Sequence, residues 1–515
     1  PLLAAPPVRK SIAIDGPQAE VFRVSPVEPW RIVRTRLRVA GLVGGPVEGG
    51  GRAAGYFTGA TGVTIYRGDA WAEPFRSLAI IGDVGSNLVH RKRLMPNGVH
   101  MLGSRMDVES EFIASTDNWF RPAQFACGPD GNLSIVDVYR EVIEHPKSLP
   151  PEIKQHLDLT SGRDRGRIYR VVSDGYRHRP TPHLSSLSSE MLVKLLEHRN
   201  AWHRETAARL IFERGDHSIS DQLRRQARQS ESALGRLHSL YALKGLNELE
   251  PADLVARFSD PHPQIVRHAV RLSESFPSDD SIAEGLSRLI DHPSIEVRYQ
   301  LAFTLGEFSL ESTPDLLADI LLQDPTDRWI QTAVLSSVVE NRGPFFVSLL
   351  KRDLNVSLAP FLGQLAAEID RRDDHLVRRQ SINALASAED QPGLLPVVAR
   401  LNRSDRQSII GNNLYNRVDQ KSKRLVPKAI SIITDDSLSD DSRIQAIGWL
   451  SDLPMDLALP TLIRVVRENH SSDLQIAAIR SMGQYDSSQV ATILIDRWVQ
   501  WSPRILAAAG EVLFS

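Results

Sequence analysis

R-P-A-Q-F-A-C-G-P-D-G-N-L-S-I-V-D-V-Y-R-E-V-I-E-H-P, residues 121–146, runs through a Pro-broken linker into S-G-R-D-R-G-R-I-Y-R-V-V, residues 161–172. Phe125 and Ala126 lead into Gly128-Pro129-Asp130-Gly131, the densest turn signal in the chain: Pro presets φ and Gly supplies backbone freedom. Leu133, Ile135, Val136 and Val138 then resume an apolar, β-branched run. The pattern predicts strand, tight turn, strand. Gly166–Val172 reads as a further short strand, with Ile168 and Val171 apolar and Arg167 and Arg170 polar. After it, Pro and Gly recede and apolar residues take helical spacing. The stretch is therefore a hinge between a β-rich piece, residues 1–176, and a helical piece, residues 177–515.

At 515 residues the chain has room for more than one domain. It carries 61 Lys and Arg against 63 Asp and Glu, a formal net charge of −2. That balance argues against a nucleic-acid binder that works by a net basic field. No apolar run approaches the ~20 residues a membrane helix needs. A single cysteine, Cys127, excludes an intramolecular disulfide and any C-x-x-C-H haem-attachment motif. Residue 1 is Pro and no signal-like segment leads the chain, so it reads as a fragment or a processed form.

Within residues 1–176, Pro1–Pro29 alternates short apolar runs with Pro and Gly, and Ala19–Val24 is strand-like. Trp30–Val39, W-R-I-V-R-T-R-L-R-V, reads as a cleaner strand. Arg34, Arg36 and Arg38 then share one face with Ile32, expected to meet solvent or a ligand. Gly44–Arg52 is a glycine-rich loop with no helix after it, hence a surface loop rather than an anion cradle. Thr61–Leu94 repeats strands and turns in the rhythm of an all-β sandwich or propeller. Asp83 is expected to bond backbone amides in a turn, His90 to lie on the surface, and Cys127 to be a small buried hydrophobe.

The order Y-R-G-D-A-W (66–71), F-R-S-L-A-I-I-G-D (75–83), L-V-H-R-K-R-L (88–94), F-R-P-A-Q-F-A-C-G-P-D-G-N-L (120–133) and G-R-I-Y-R-V (166–171) carries a resemblance. It resembles late blades of the six-bladed propeller of quinoprotein glucose/sorbosone dehydrogenases. It resembles more closely the "membrane-bound dehydrogenase" proteins of planctomycete-type bacteria, where such a propeller precedes HEAT repeats and a c-type cytochrome domain. The resemblance implies an incomplete β-propeller followed by a HEAT-repeat solenoid, in a periplasmic or exported protein. It implies pyrroloquinoline quinone (PQQ) and Ca²⁺ in the full-length propeller and a c-type cytochrome in cis or in trans. Arg121 matches the arginine that contacts the quinone, whereas Ala123 stands where those enzymes usually carry a second arginine.

Asp137, Tyr139, Arg140, Glu141, Glu144 and His145 follow the central strand. Asp137, Tyr139, Arg140 and His145 join Arg121 as candidate cofactor contacts at a propeller mouth. The same residues also read as an ion-paired strand exit, with Arg140 bridging neighbouring carboxylates.

From Leu184 onward, internal repeats appear. Arg204, Arg236, Arg267 and Arg298 correspond, and Gln331 continues the series, at intervals of 31–33 residues. Arg443 and Gln475 restore the register after an irregular stretch, 345–430. Asp260-Pro261, Asp291-His292-Pro293 and Asp324-Pro325 precede successive units and read as helix starts. D-x-x-x-x-V-R-x-x-A is similar to short bacterial HEAT repeats. The repeated arginine is expected to form a ladder with an Asp of the adjacent unit, and His262 and His292 to be loop-capping residues. HEAT solenoids present a concave face to protein partners.

Two functions remain open. One is the C-terminal part of a PQQ-type sugar, alcohol or aldehyde dehydrogenase, inactive as this fragment alone. The other is a non-catalytic propeller and HEAT scaffold for protein–protein interaction.

Overall fold

The computed structural model describes residues 19–354, 358–372, 375–401, 412–451, 453–468 and 470–514. Expectations on Pro1–Gln18 lie outside the described residues. The chain separates into two compact units, Pro1–Ala269 and Val270–Ser515. Two antiparallel sheets and the first helices belong to the first; the second is helical.

The first sheet is a meander of β1 (Ala60–Ile65), β2 (Leu78–Asp83), β3 (Leu88–Asn97) and β4 (His100–Arg105), with the short β5 (Ile113–Ala114) also on β3. The second comprises β6 (Pro122–Cys127), β7 (Leu133–Asp137) and β8 (Arg167–Val171). The turn joins β6 to β7 as expected, with Phe125 opposite Ile135 and Cys127 opposite Leu133. Alternation sorts the side chains. Tyr66, Trp71, Leu78, Ile80 and Val89 from the first sheet region meet Phe120, Phe125, Leu133 and Ile135 from the second in one buried core. The half-buried Cys127 packs against that core.

Two of the recognisable motifs touch there. The Tyr66 ring stacks on Trp71, centroids 4.1 Å apart. Its hydroxyl donates to the Gly131 carbonyl (2.7 Å). Burial pushes the Tyr66 phenol up to about 12, so it stays a donor at physiological pH. Gly131 sits at φ +83°, and a Cβ there would come 2.2 Å from Asp69 Oδ1. Only glycine fits such a turn.

Two strand expectations fail. Residues 19–24 contribute one bridge, Glu20 to Tyr56, and no strand. Pro29–Val39 is a helix, not a strand. Pro29 opens it at the first turn, where a missing N–H costs nothing. In helical geometry Trp30, Arg31 and Arg34 turn inward and become buried, while Val33 and Val39 are exposed. In the glycine loop, Gly49–Gly51 forms one 3₁₀ turn, and the surrounding residues are mostly exposed.

In the first unit, Ser189–Leu195, Ala201–Arg214, Ser220–Gln229 and Ala233–Gly245 share a core of Leu192, Leu196, Ile211, Leu223 and Leu243. In the second, helices pack on the next but one. Ile295–Leu305 touches Arg328–Ser337, Thr313–Gln323 touches Arg342–Leu350, and Ser472–Met482 touches both Asp440–Leu450 and Pro503–Leu513. That is a stack of paired helices, each pair needing a neighbour to bury its apolar face.

The arginine ladder forms in part. Arg236 grips Asp260 with two bonds (2.8 and 2.7 Å), and Arg298 donates twice to Asp324 Oδ2 (3.0 and 2.6 Å). Arg443 instead pairs with Asp436 (2.9 Å), seven residues before it in its own unit, which is not a rung to an adjacent unit. Burial would raise the Asp260 carboxyl, but bonds from Arg236 and the His262 amide hold it below its ordinary value. Asp324 is a rung and not a cap: Asp327 caps its helix, accepting from the Trp329 and Ile330 amides. His262 and His292 do cap loops, accepting from the amides of Gln264 and Ser294.

The described residues of the irregular stretch are largely helical, ending in Asn412–Thr434 with Pro427 inside it. Here the fully buried Lys421 ammonium donates to Asp390 (3.0 Å) and to the carbonyls of Ala388 and Glu389. Hydrogen bonds from Arg424 and Lys421 pull the Asp390 carboxyl down to about 2. A carboxyl depressed in the folded state stabilises above its unfolded pKa of about 4 and loses that contribution as pH falls through its folded value. Asp390→Asn should therefore lower the thermal midpoint at pH 7 and flatten its decline between about pH 4 and pH 2, read by circular-dichroism melts across pH.

Candidate functional site

The five sequence-derived candidates lie at the end of the second sheet. Arg121 is fully buried just before β6. Its amide donates to Asp137 Oδ1 (2.7 Å) at the end of β7. Four of the five guanidinium N–H bonds have protein acceptors. Nε donates to the Arg140 carbonyl (2.9 Å), Nη1 to the Val84 carbonyl (2.8 Å), and Nη2 to the Glu141 carbonyl (2.6 Å) and Glu28 Oε1 (3.1 Å).

Glu28 is the hub. It precedes the helix Pro29–Val39 and is buried. Its Oε2 accepts from Arg23 (2.9 Å) and lies 3.4 Å from Arg31 Nε. Burial alone would raise the Glu28 carboxyl; the charges of Arg31, Arg23 and Arg121 overcome this and hold it low. Arg34 pairs with Glu144 (2.9 Å), which Arg31 approaches at 3.9 Å. Arg31 and Arg34 both lie 5.2 Å from the Trp30 ring centroid, in cation–π range. Trp30 packs on Val142, Leu149 and Ile153. An ion-paired strand exit exists, built by Arg34 instead of Arg140; Arg140 Nη1 donates to the Thr160 carbonyl (2.9 Å).

The remaining candidates are spread out. Asp137 is buried, also accepts from the Tyr139 amide (2.9 Å), and lies 3.9 Å from Arg167. Tyr139 is half-buried at φ +49°, with the Arg167 guanidinium 3.7 Å from its ring centroid. His145 is exposed and caps a 3₁₀ turn by accepting from the Lys147 amide (3.1 Å). The geometry joins Arg121, Asp137, Arg140 and the Tyr139 amide into one network and leaves His145 outside it.

Sequence reading misses Glu28 and Arg31 and sets Arg34 on a face meeting solvent or a ligand, because Trp30–Val39 reads as a strand. The available signal was Glu-Pro before Trp30, Val33 and Leu37 at helical spacing, which places Arg31 and Arg34 on a common face. His90 was expected at the surface, but it is fully buried on β3. Its Nδ1 lies 2.7 Å from buried Glu111, which also accepts from Arg105 (3.2 Å) and the Phe22 amide (3.1 Å). The segment before β1 covers this face of the first sheet, Phe57 meeting the His90 ring edge-on at 5.2 Å. Asp83 behaves as expected, accepting from the amides of Thr58, Gly59 and Gly85. Among the described residues no group of three or more His, Cys, Asp or Glu is placed to hold a metal ion, and no helix is long and apolar enough to cross a membrane.

Glu28→Gln removes the carboxylate that pairs with the Arg121 guanidinium among the described residues. A buried charge left without its partner costs about 3–5 kcal/mol. The variant should melt well below wild type and expose Trp30, read as a red shift of tryptophan emission before the helical signal is lost.

Among known families, a model described as a domain of unknown function (DUF7133) matches residues 3–175. No curated protein matches. Among solved structures, an X-ray structure of YibA from Escherichia coli is similar at 14% identity, covering 66% of this chain and 99% of that one, with a TM-score of 0.19. A score that low carries no fold assignment.

Proposed function

We propose that this chain is a binding scaffold: blade-like sheets stapled to a HEAT-type helical array whose concave face receives a protein partner. The observation that carries this reading is the state of Arg121. The resemblance assigns it to a quinone, yet its guanidinium is buried and engaged by three carbonyls and Glu28. An arginine so committed holds loops together and has little left to offer a cofactor. The helical part supports the same reading, since its repeated arginines also bond inward. Exposed Phe212 and Tyr241, on Ala201–Arg214 and Ala233–Gly245, are apolar anchors of the kind protein interfaces use.

A second reading rests on the sheets. A four-strand antiparallel meander packed face to face on another sheet is how propeller blades pack. Val136 and Ile168, paired across β7 and β8, leave an apolar pair open on the far face, as a blade lacking its neighbour would. On that reading the chain is the C-terminal part of an exported quinoprotein-like dehydrogenase that hands electrons to a c-type cytochrome.

Two measurements separate these readings. Titrating the chain with PQQ, with and without Ca²⁺, should give no saturable spectral change, and a sugar and aldehyde panel should give no dye reduction. Affinity purification from the native host should retain a protein in near-stoichiometric amount, and Phe212→Glu with Tyr241→Glu should lose it. Saturable quinone binding that Arg121→Ala abolishes, or the absence of any retained protein, would overturn the scaffold reading.

A further inference from the structure

Arg204 stands at the ladder position of the first helical repeat, yet it has no rung. Three arginines of the series show the difference. Arg236 spends Nη1 on the Ser230 carbonyl six residues before it (2.8 Å), and gives Nε and Nη2 to Asp260. Arg298 repeats this, with Nη1 on the His292 carbonyl and Nε and Nη2 on Asp324. Arg204 keeps the first half of the pattern, Nη1 donating to the carbonyls of His198 and Arg199. The second half is missing. Its Nε is buried without a hydrogen-bond partner, in a side chain only 4% exposed. Among the described residues no carboxylate comes within ion-pairing distance of it.

The sequence shows what was lost. Asp260, Asp291 and Asp324 each lie seven residues before the ladder residue of their own unit, Arg267, Arg298 and Gln331. The corresponding residue before Arg236 is Gln229, which is exposed. A neutral amide stands where the repeat calls for a carboxylate.

The surroundings are positively charged. Arg76 Nη2 donates to the same Arg199 carbonyl that Arg204 uses (3.1 Å). Arg67 lies across from the adjacent Glu205 (2.5 Å), and Arg199 and Arg76 share Glu73 at 3.5 Å each. Asp69 is taken by Arg179 (3.1 Å). The His198 and His203 rings lie 4.2 Å apart, with His203 Nε2 on the Pro129 carbonyl. His238 is pushed down to about 4 by burial and then by the Arg204 charge, so it is neutral at physiological pH. Of the nearby carboxylates, Glu73 and Glu205 are taken by Arg76, Arg199 and Arg67, Asp69 by Arg179, and Glu197 accepts from Ser230 Oγ (2.6 Å), so each already has a partner other than Arg204.

We propose that Arg204, flanked by Arg67 and Arg76, is the anchor of a binding site for a small carboxylate ligand, which supplies the acceptor oxygens that Asp260 and Asp324 supply elsewhere in the ladder. The planar guanidinium fork matches a carboxylate edge-on, and such charge-assisted pairs are the strong ones. A buried unpaired donor makes the ligand worth binding, because leaving it bare costs free energy.

Two substitutions test this without dismantling the fold. Gln229→Asp restores the internal rung. Arg204→Gln copies Gln331, which occupies the same position and donates to the Pro325 carbonyl (2.7 Å). Calorimetric titration with succinate, in a buffer matched to chloride for ionic strength, should show saturable binding to wild type. Arg204→Gln should weaken it about tenfold to a hundredfold, and Gln229→Asp should abolish it while raising the thermal midpoint of the free protein. Equal succinate binding by wild type and Gln229→Asp, no binding beyond the chloride control, or binding of inorganic phosphate but not of succinate would each overturn the assignment. None of these outcomes depends on whether the chain also docks a protein partner.

Discussion

One carboxylate, Glu28, holds the front of this molecule together. Arg23, Arg31 and Arg121 all converge on it out of contact with bulk water. Burying an arginine is costly unless its donors find acceptors; Arg31 Nε and Nη2 reach Glu28 and Glu144 without a hydrogen bond, whereas Arg121 satisfies four of its five donors. That requirement explains why Arg121 also takes carbonyls from Val84, Arg140 and Glu141. Those carbonyls belong to the turn after β2 and the loop leaving β7. The first helix, the first sheet and the exit of the second sheet are thereby fixed by a common electrostatic need.

The same need inverts the first helix. An ordinary surface helix turns its apolar stripe inward. Pro29–Val39 buries Arg31 and Arg34 beside Trp30 and leaves Val33 and Val39 outside. A rule that places arginine in solvent therefore misreads it, and the alternating pattern of W-R-I-V-R-T-R-L-R-V then suggests a strand. Propensity and periodicity describe an average burial environment; here specific partners override it. His90 was misplaced for the same reason. A polar residue in a strand looks exposed until Glu111, twenty-one residues later, closes over it.

Where backbone chemistry dominates, the sequence was far more legible. The Gly128–Gly131 turn, the strands around it and the short β8 lie where glycine, proline and β-branched residues indicate. The helical repeats were readable from a spacing near 31 residues, because each rung reuses one local geometry: an arginine, a carbonyl six residues back and an aspartate in the next unit. The candidate cofactor contacts were less legible, since side-chain direction and burial decide whether an arginine meets a ligand or a carbonyl. Neither is encoded in a motif.

The change of composition near residue 176 marks a change of secondary structure, whereas the first compact unit continues to Ala269. Asn200 shows why chain grammar and packing part company here. Its side-chain oxygen caps the helix Ala201–Arg214 at the Trp202 amide (3.0 Å), while its amide nitrogen donates to the carbonyls of Gly128 and Pro129 (3.0 and 3.2 Å). His203 adds a bond to the same Pro129 carbonyl, and the Ala201 amide donates to the Arg67 carbonyl. The turn that organises the second sheet thus serves as the docking surface for the first long helix of the repeat array. Arg204 sits one residue beyond His203, so the ladder position without an aspartate is also the one nearest the sheets. A carboxylate bound there would lie beside the seam itself, where its charge would offset Arg67 and Arg76 from the β side together with Arg204 from the helical side.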